Sequence, residues 1–258
     1  YCFMRKKNSD IQLTSYEELL GLNTADDNDS EKILIVPLEE LHTFKDHPFR
    51  VVDDEKMQET VESIGKFGVL VPAIARKRTA GGYELIAGHR RKRGSELAGK
   101  KDMPVIVRNY TDDEAVVIMV DSNIQREDIL PSEKAFAYKM KSEALKHQGK
   151  TSCQLGTKLR TDEKIAETVD DSARQIQRYI RLTYLIPELL KLVDEERIAF
   201  TPAVELSYLS EYEQQILLEQ IEFTDATPSL SQAQRLRKFS KDGNFFVDTV
   251  FAVLNEEK

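Results

Sequence analysis

The spacing of hydrophobic residues changes near Pro131 and divides the chain into two regions. Before this point, short apolar runs bounded by glycine, proline or charged residues lie at 32–38, 69–76, 83–87 and 103–108. Runs of this length that are rich in Val and Ile predict β-strands. Gly81-Gly82 separates the second and third runs, so these two are expected to form a hairpin.

Segments with helical spacing lie between the predicted strands. The acidic Asp53-Asp54-Glu55 precedes apolar residues at helical intervals, which predicts a helix that begins there and ends at Gly68. Two further helices are predicted at 90–99 and 112–123. Because strands alternate with helices, we expect a small α/β domain over residues 31–127.

The pattern after Pro131 predicts only helices and turns, so the fold class is α+β with an all-α second part. We place one helical domain at 128–225 and further C-terminal helices at 226–258. Residues 1–30 contain an acidic run without periodicity and are expected to be a flexible lead-in, with a short helix at Tyr16–Leu20.

Charge and cysteine content narrow the classes of function. The net charge of -8 argues weakly against nucleic acid as a partner. Residues 139–182 nevertheless carry ten Lys or Arg against six Asp or Glu, a local excess of positive charge that DNA would meet. Two cysteines and four histidines without ligand spacing indicate neither a disulfide framework nor a zinc site. With no apolar run long enough for a membrane span, we expect a cytoplasmic protein without a membrane partner.

A predicted strand that ends at a glycine and continues into a basic helix is the first candidate site. A helix N-terminus offers free backbone N–H groups, glycine lets an anion approach closely, and arginine binds phosphate through two hydrogen bonds. Cations are unfavourable at this end of a helix, so their presence indicates an anion. The residues concerned are Ala87, Gly88, His89, Arg90 and Arg91. The alternative is a solvated basic helix face.

Polar residues cluster in Asp121–Asp128, where another helix is predicted to end. Amide and carboxylate oxygens there could hold a hydrated Mg²⁺ near a phosphate. The alternative is an ordinary polar joint between domains.

Residues 161–182 predict two helices joined by a short turn, with Ser172 as the N-cap of the second. If Ile176 and Ile180 are buried, the opposite face presents Arg and Gln, which hydrogen-bond guanine and adenine edges in a major groove. The residues expected at DNA are Ser172, Ala173, Arg174, Gln177, Arg178 and Arg181. Thr201, in the next helix, is expected to cap that helix or to contact a phosphate. The alternative is a helical hairpin with a charged outer face.

Four short boxes in this order resemble the ParB family of chromosome- and plasmid-partition proteins. They are Asp46-His47-Pro48-Phe49-Arg50, then Phe67–Pro72 with Gly88–Arg91, then Asn123–Asp128 leading to Pro131–Ala135, and the helix-turn-helix. The resemblance covers residues 31–225, and Leu130–Tyr138 is similar to ParB-like proteins on Firmicute mobile elements.

The resemblance implies a small ParB/sulfiredoxin-like N-terminal domain that binds CTP with Mg²⁺, followed by a helix-turn-helix that recognises a palindromic double-stranded DNA site. It also implies a nucleoid-associated homodimer that closes into a sliding clamp, and a ParA-type ATPase as partner. The family has a dimerisation domain at its C-terminus. Residues 226–258 are short for one, so we expect a truncated module there.

The match to the family's motifs implies roles for individual residues. The nucleotide-binding set is Pro48, Phe49 and Arg50, then Gly68, Val69 and Leu70, then Ala87, Gly88, His89, Arg90 and Arg91, and Asn123. Asn123 matches the amide near Mg²⁺, and Gln125 and Arg126 are the candidate catalytic residues.

Two positions depart from the family's pattern. His89 stands where Glu or Asp is common, which removes an acid beside the phosphates. Ser122 stands where many members have a metal-holding Glu, and Asp121 would point elsewhere on a helix. We therefore predict nucleotide binding with, at most, slow CTP hydrolysis.

Two other functions remain open from the sequence. A helix-turn-helix transcriptional regulator without nucleotide switching is favoured by Ser122. A nucleotide-dependent enzyme, like sulfiredoxin or a serine kinase, shares the α/β domain. However, sulfiredoxin would need a cysteine where His89 stands, and a kinase would not need Arg174 and Gln177 on a recognition helix.

Overall fold

The computed structural model describes residues 33–126, 128–151 and 161–256. The predicted lead-in 1–30 and its short helix at Tyr16–Leu20 lie outside the described residues.

Five strands form one mixed sheet in the order β1-β5-β3-β4-β2. They are β1 (Ile33–Pro37), β2 (Leu41–Thr43), β3 (Ala73–Lys77), β4 (Tyr83–Ala87) and β5 (Asp102–Val107). The predicted hairpin is confirmed, because β3 pairs antiparallel with β4. β1 is antiparallel to β5, while β3 pairs parallel with β5 and β2 pairs parallel with β4.

Three helices accompany the sheet: α1 (Glu55–Phe67), α2 (His89–Leu97) and α3 (Asp112–Asp121). The acidic start predicted for α1 is confirmed, since the Asp54 carboxylate accepts the Met57 N–H at 2.8 Å as an N-cap. Thr111 and Glu114 form a capping box at the start of α3.

The rest of the described chain is helical. Its elements are α4 (Pro131–Thr151), α5 (Thr161–Ala166), α6 (Ala173–Leu182), α7 (Pro187–Asp194), α8 (Phe200–Leu206), α9 (Glu211–Thr224), α10 (Leu230–Lys241) and α11 (Val247–Leu254). The α+β fold class is therefore confirmed. Within the described residues, no helix is both long enough and apolar enough to cross a membrane.

Three clusters of buried side chains form the core. One lies on the sheet around Ala75, Leu85 and Val105, and one joins the helices from α6 to α11. The third contains Phe49 and Ile86 from the first region together with Ile165 and Ile176 from the helices α5 and α6. This shared core places the predicted phosphate turn close to the predicted DNA-binding helices.

Candidate functional site

The turn between β4 and α2 has the backbone geometry of an anion site. Gly88 is the N-cap of α2 with φ 107°, a left-handed conformation that side chains rarely adopt. A Cβ on Gly88 would lie 2.8 Å from the Ala73 Cβ, so only glycine fits here. The first intrahelical bond runs from Lys92 N–H to the Gly88 carbonyl, and the amides before it lack an intrahelical acceptor. The first turn of α2 carries no acidic residue.

The two arginines of this turn contact neighbouring segments of the protein. An Nη of Arg90 lies 2.9 Å from the Asp54 carboxylate, which keeps the pKa of that carboxyl below its usual value. Arg91 donates from one Nη to the carbonyls of Val71 and Pro72, at 2.6 and 2.7 Å. Its other Nη lies beside Gly88, 3.2 Å from where a Cβ would be. Arg91 therefore joins the segment after Gly68 to the turn. Phosphate contacts by Arg90 and Arg91 remain predictions.

The ring of His89 is buried against His47 and does not face an open anion site. The ring centroids are 3.9 Å apart, and His89 is only 7% exposed. His47 Nδ1 donates to the Phe49 carbonyl at 2.7 Å, while His47 Nε2 and both ring nitrogens of His89 are buried without a hydrogen-bond partner. Burial, helped by the positive charge of Arg126, lowers the pKa of His89 to about 3. His89 is therefore neutral at ordinary pH and adds no positive charge to this turn.

We predict that the ionisation of His89 makes the stability of the fold depend on pH. Its folded pKa of about 3 lies below the ordinary value of 6.5, so the stabilisation is complete above pH 6.5 and falls as pH decreases toward 3. Between pH 7 and 5 the free energy of unfolding should drop by about 2 kcal/mol through this group. In urea titrations, His89→Phe should lose this part of the pH dependence. The exposed His42, as His42→Gln, is the control that should keep it. An identical pH dependence in His89→Phe and the unaltered chain would contradict the assignment.

Residues 121–126 reach the same region at the end of α3. Asn123 is 4% exposed, and its Nδ2 donates to the Met119 carbonyl at 2.8 Å, so Oδ1 is the atom left to face a ligand. Ser122 donates its hydroxyl to the same carbonyl. Asp121 is paired with the buried Lys141 of α4, as expected for a side chain that points elsewhere. Gln125 and Arg126 are exposed.

Arg126 lies within electrostatic range of the other boxes. Its charge helps lower the pKa of both His47 and His89. Although Arg126 reaches solvent, partial desolvation of its side chain is the main cause that lowers its own pKa, and the charge of Arg90 adds to it. The structure therefore brings the box at 46–50, the turn at 88–91 and the box at 123–126 together.

These residues fit a phosphate better than they fit a protein-held metal. The turn offers backbone amides that lack an intrahelical acceptor, and Arg90 and Arg91 follow it directly. In 33–126, 128–151 and 161–256, no group of three or more His, Cys, Asp or Glu could hold a metal ion. With one amide oxygen from Asn123, any Mg²⁺ would depend mainly on the phosphates themselves for ligands.

The first nucleotide box is divided between core and surface. Phe49 is 4% exposed and packs in the core cluster that also contains Ile165 and Ile176, so its ring is not available to a ligand in this arrangement. Arg50 is bound to Glu133 of α4, with its Nε 3.0 Å from the carboxylate. Pro48 and Val69 are half-buried, Gly68 has φ 74°, and Leu70 is exposed.

The helices α5 and α6 lie where two helices joined by a turn were predicted. Ser172 accepts the Gln175 N–H as the N-cap of α6, and Ile165 and Ile176 are fully buried. Arg174 and Gln177 are exposed, although Gln177 also donates to Asp162 of α5. These two side chains are available to a groove.

The other two arginines of α6 are held by α8 and its C-terminus. Arg178 donates to the Thr201 hydroxyl at 2.8 Å and lies over the Phe200 ring. Arg181 donates to the Ser207 carbonyl at 2.6 Å and lies between Tyr184 and Tyr208. Arg181 does not face outward as predicted, because its guanidinium joins α6 to the end of α8.

Thr201 is not a capping residue. The N-cap of α8 is Ala199, without a side-chain hydrogen bond, and Thr201 lies inside the helix. Its hydroxyl accepts a hydrogen bond from Arg178, which positions that arginine.

Comparisons with known proteins identify the family. Residues 23–124 match the family model described as the ParB N-terminal domain. The chromosome-partitioning protein Spo0J of Thermus thermophilus is 30% identical over 206 residues, which cover 80% of this chain and 70% of that protein. The chain belongs to the ParB family.

Other ParB proteins match over different lengths. The chromosome-partitioning protein ParB of Myxococcus xanthus is 44% identical over 107 residues, or 42% of this chain, which spans only 36% of that relative's length. A crystal structure of C-terminally truncated Caulobacter crescentus ParB, complexed to the centromeric parS site, is 25% identical with a TM-score of 0.49. It covers 80% of this chain and 98% of that one.

Two residues of this ParB site were missed by sequence reasoning. His47 lies in the first ParB box, but a single histidine gave no signal for its contact with His89. Glu133 lies in the Pro131-Ser132-Glu133-Lys134 segment and was treated only as part of a helix start. An acid in a first helical turn is common for electrostatic reasons, so its contact with Arg50 had no separate signal.

Proposed function

We propose that this ParB-family chain is a partition protein that binds CTP in its N-terminal domain and reads a palindromic DNA site through its helix-turn-helix. The observation that carries the proposal is the convergence of three ParB boxes around the N-terminus of α2, where the first backbone amides lack intrahelical acceptors. The relatives named above are chromosome-partitioning proteins, which favours segregation of a chromosome, plasmid or mobile element.

Different residues near the turn would contact different parts of a bound nucleotide. Backbone amides of α2 would bind phosphate, supported by the positive end of the helix dipole. Arg90 would exchange the Asp54 carboxylate for a phosphate, and Arg91 would hold the segment at 69–72 in place. Asn123 would supply an amide oxygen to any Mg²⁺ held by the phosphates of the nucleotide. Hydrolysis would be slow at most, since Ser122 supplies no carboxylate and Asp121 is engaged by Lys141.

DNA recognition would centre on Arg174 and Gln177. Both are exposed on α6, and a bidentate contact to a base edge is the strongest source of discrimination in a major groove. Arg178, held by Thr201, would then face the DNA backbone with a fixed side chain. A palindromic site requires two copies, so we propose a homodimer, with a ParA-type ATPase as its partner in segregation.

Arg174→Ala should weaken binding to the specific DNA site about 10- to 100-fold, because one base or phosphate contact is lost. A site selected from random duplexes with the unaltered chain allows the measurement by fluorescence anisotropy at fixed salt. Arg197→Ala removes a cation paired with Asp225, away from α6, and should change affinity less than twofold. Equal losses in both variants would mean that general charge, and not the recognition helix, governs binding.

A cross-linking experiment tests the clamp directly. Copies with one cysteine introduced on the exposed surface of the N-terminal domain, and with both native cysteines replaced by serine, are treated with a bismaleimide. We expect cross-linking that requires CTP and increases with the selected DNA site. DNA binding without any CTP effect would favour the second candidate, a transcriptional regulator. That candidate is supported by Ser122 and by the contact of Arg90 with Asp54.

A further inference from the structure

A buried carboxylate of α4 holds the arginine of the first ParB box. The Glu133 side chain is 9% exposed, and its Oε1 accepts both the backbone N–H of Arg50, at 2.9 Å, and the Nε–H of the same residue, at 3.0 Å. Its Oε2 accepts the Leu130 N–H at 3.2 Å. A buried carboxylate is stable only with such partners, so this contact fixes the direction of the Arg50 side chain.

The outer edge of the Arg50 guanidinium remains open. The Arg50 side chain is 61% exposed, and within the described part of the chain its two Nη atoms have no hydrogen-bond partner. A guanidinium can donate to one anion from its Nε edge and to a second anion from its outer Nη atoms. Glu133 therefore holds Arg50 in one direction while its Nη atoms stay available to an anion.

The same turn of α4 is tied to the recognition helix. Lys134 Nζ and the Tyr138 hydroxyl both lie 2.6 Å from Oδ2 of Asp171. Asp171 directly precedes Ser172, the N-cap of α6. Glu133 and Lys134 are neighbours in sequence, so a shift of the first turn of α4 would move the contacts to Arg50 and to Asp171 together.

We propose that Glu133 is a positioning residue that directs Arg50 toward a nucleotide phosphate only while α4 is seated against the turn before α6. The inference rests on the proposed function and deepens it. Nucleotide affinity then depends on the placement of the recognition helix through three contacts: phosphate to Arg50, Arg50 to Glu133, and Lys134 to Asp171.

A double-mutant cycle on CTP affinity, measured with Mg²⁺ present, tests whether Glu133 acts through Arg50. Arg50→Ala and Glu133→Ala should each weaken CTP binding about tenfold, and the double variant should be no weaker than Arg50→Ala alone. Glu133→Gln keeps an oxygen that can accept from Arg50 and should recover part of the loss. Ser132→Ala is the matched control. It removes one hydroxyl contact to Asp194, while the Ser132 backbone N–H still donates to the same carboxylate and keeps the first turn of α4 seated, so CTP affinity should not change.

Asp171→Asn tests the connection to the recognition helix. It should weaken CTP binding several-fold in the unaltered background and have no effect once Glu133 is alanine. The inference is overturned if Glu133→Ala weakens binding equally with and without Arg50, if Ser132→Ala reproduces its effect, or if Asp171→Asn leaves affinity unchanged. Failure of the unaltered chain to bind CTP would contradict the proposed function itself. Normal binding with no effect of Glu133→Ala would contradict only this inference.

Discussion

Replacing Gly88 with alanine should abolish CTP binding and destabilise the fold. The left-handed backbone at φ 107° costs an alanine about 1–2 kcal/mol. The new Cβ would also lie 2.8 Å from the Cβ of Ala73, which is fully buried in β3 and cannot move aside. Such overpacking adds about 1–3 kcal/mol. Relief of either strain would require α2 to move away from β3, which would displace the amides proposed to bind phosphate.

Urea unfolding and a CTP titration on the same sample measure both effects of Gly88→Ala. Gly99 is the matched control, because it also has a positive φ, of 69°, but a Cβ there would meet nothing within 4 Å. Gly99→Ala should therefore lose only about 1 kcal/mol and bind CTP normally. CTP affinity unchanged in Gly88→Ala would show that this turn is not the phosphate site.

Replacing Asp121 with asparagine should cost about 3 kcal/mol, since it leaves the Lys141 cation buried without a counter-charge. Lys141 is 2% exposed, and its Nζ contacts Asp121 at the end of α3 and the Thr168 hydroxyl, at 2.8 Å, after α5. Because Asp121 is 39% exposed, water reaches one side of the pair, and we expect the lower end of the range for a broken buried ion pair. Because Lys141 contacts both the end of α3 and the residues after α5, we expect the packing of α4 against these helices to loosen.

Thermal and urea unfolding measure this loss. Glu195→Gln removes an exposed pair with Lys191 and should change the free energy of unfolding by about 0.5 kcal/mol or less. Adding Lys141→Met to Asp121→Asn should restore much of the stability, because the uncompensated charge is then absent. A cost for Asp121→Asn no larger than that of the exposed control would contradict a structural role for this ion pair.

The sequence alone predicted those caps and turns that depend on residues close together in the chain. The side chains of Asp54 and Ser172 cap helices at the predicted places, and Gly81-Gly82 joins a real hairpin. β2 was not predicted, because three residues, Leu41-His42-Thr43, show no clear periodicity and are extended only through parallel pairing with β4. The run predicted as a strand from 69 begins only at Ala73, since the carbonyls of Val71 and Pro72 accept from Arg91.

The candidate site was predicted as a set of positions but not as a set of contacts. The glycine turn is local, so its residues could be recognised from their order. The partners of its cations are distant in sequence: Asp54 for Arg90 is 36 residues away, and Glu133 for Arg50 is 83 residues away. Arg181 was predicted to face outward because helical periodicity does not show that Ser207 and two tyrosines would meet it.

Isothermal titration of the chain with CTP, with and without Mg²⁺, tests the central claim most directly. We predict a single saturable site for CTP that is stronger with Mg²⁺, is absent for ATP at the same concentrations, and is lost in Gly88→Ala. No saturable CTP binding under either condition, in a sample that unfolds cooperatively, would contradict the account.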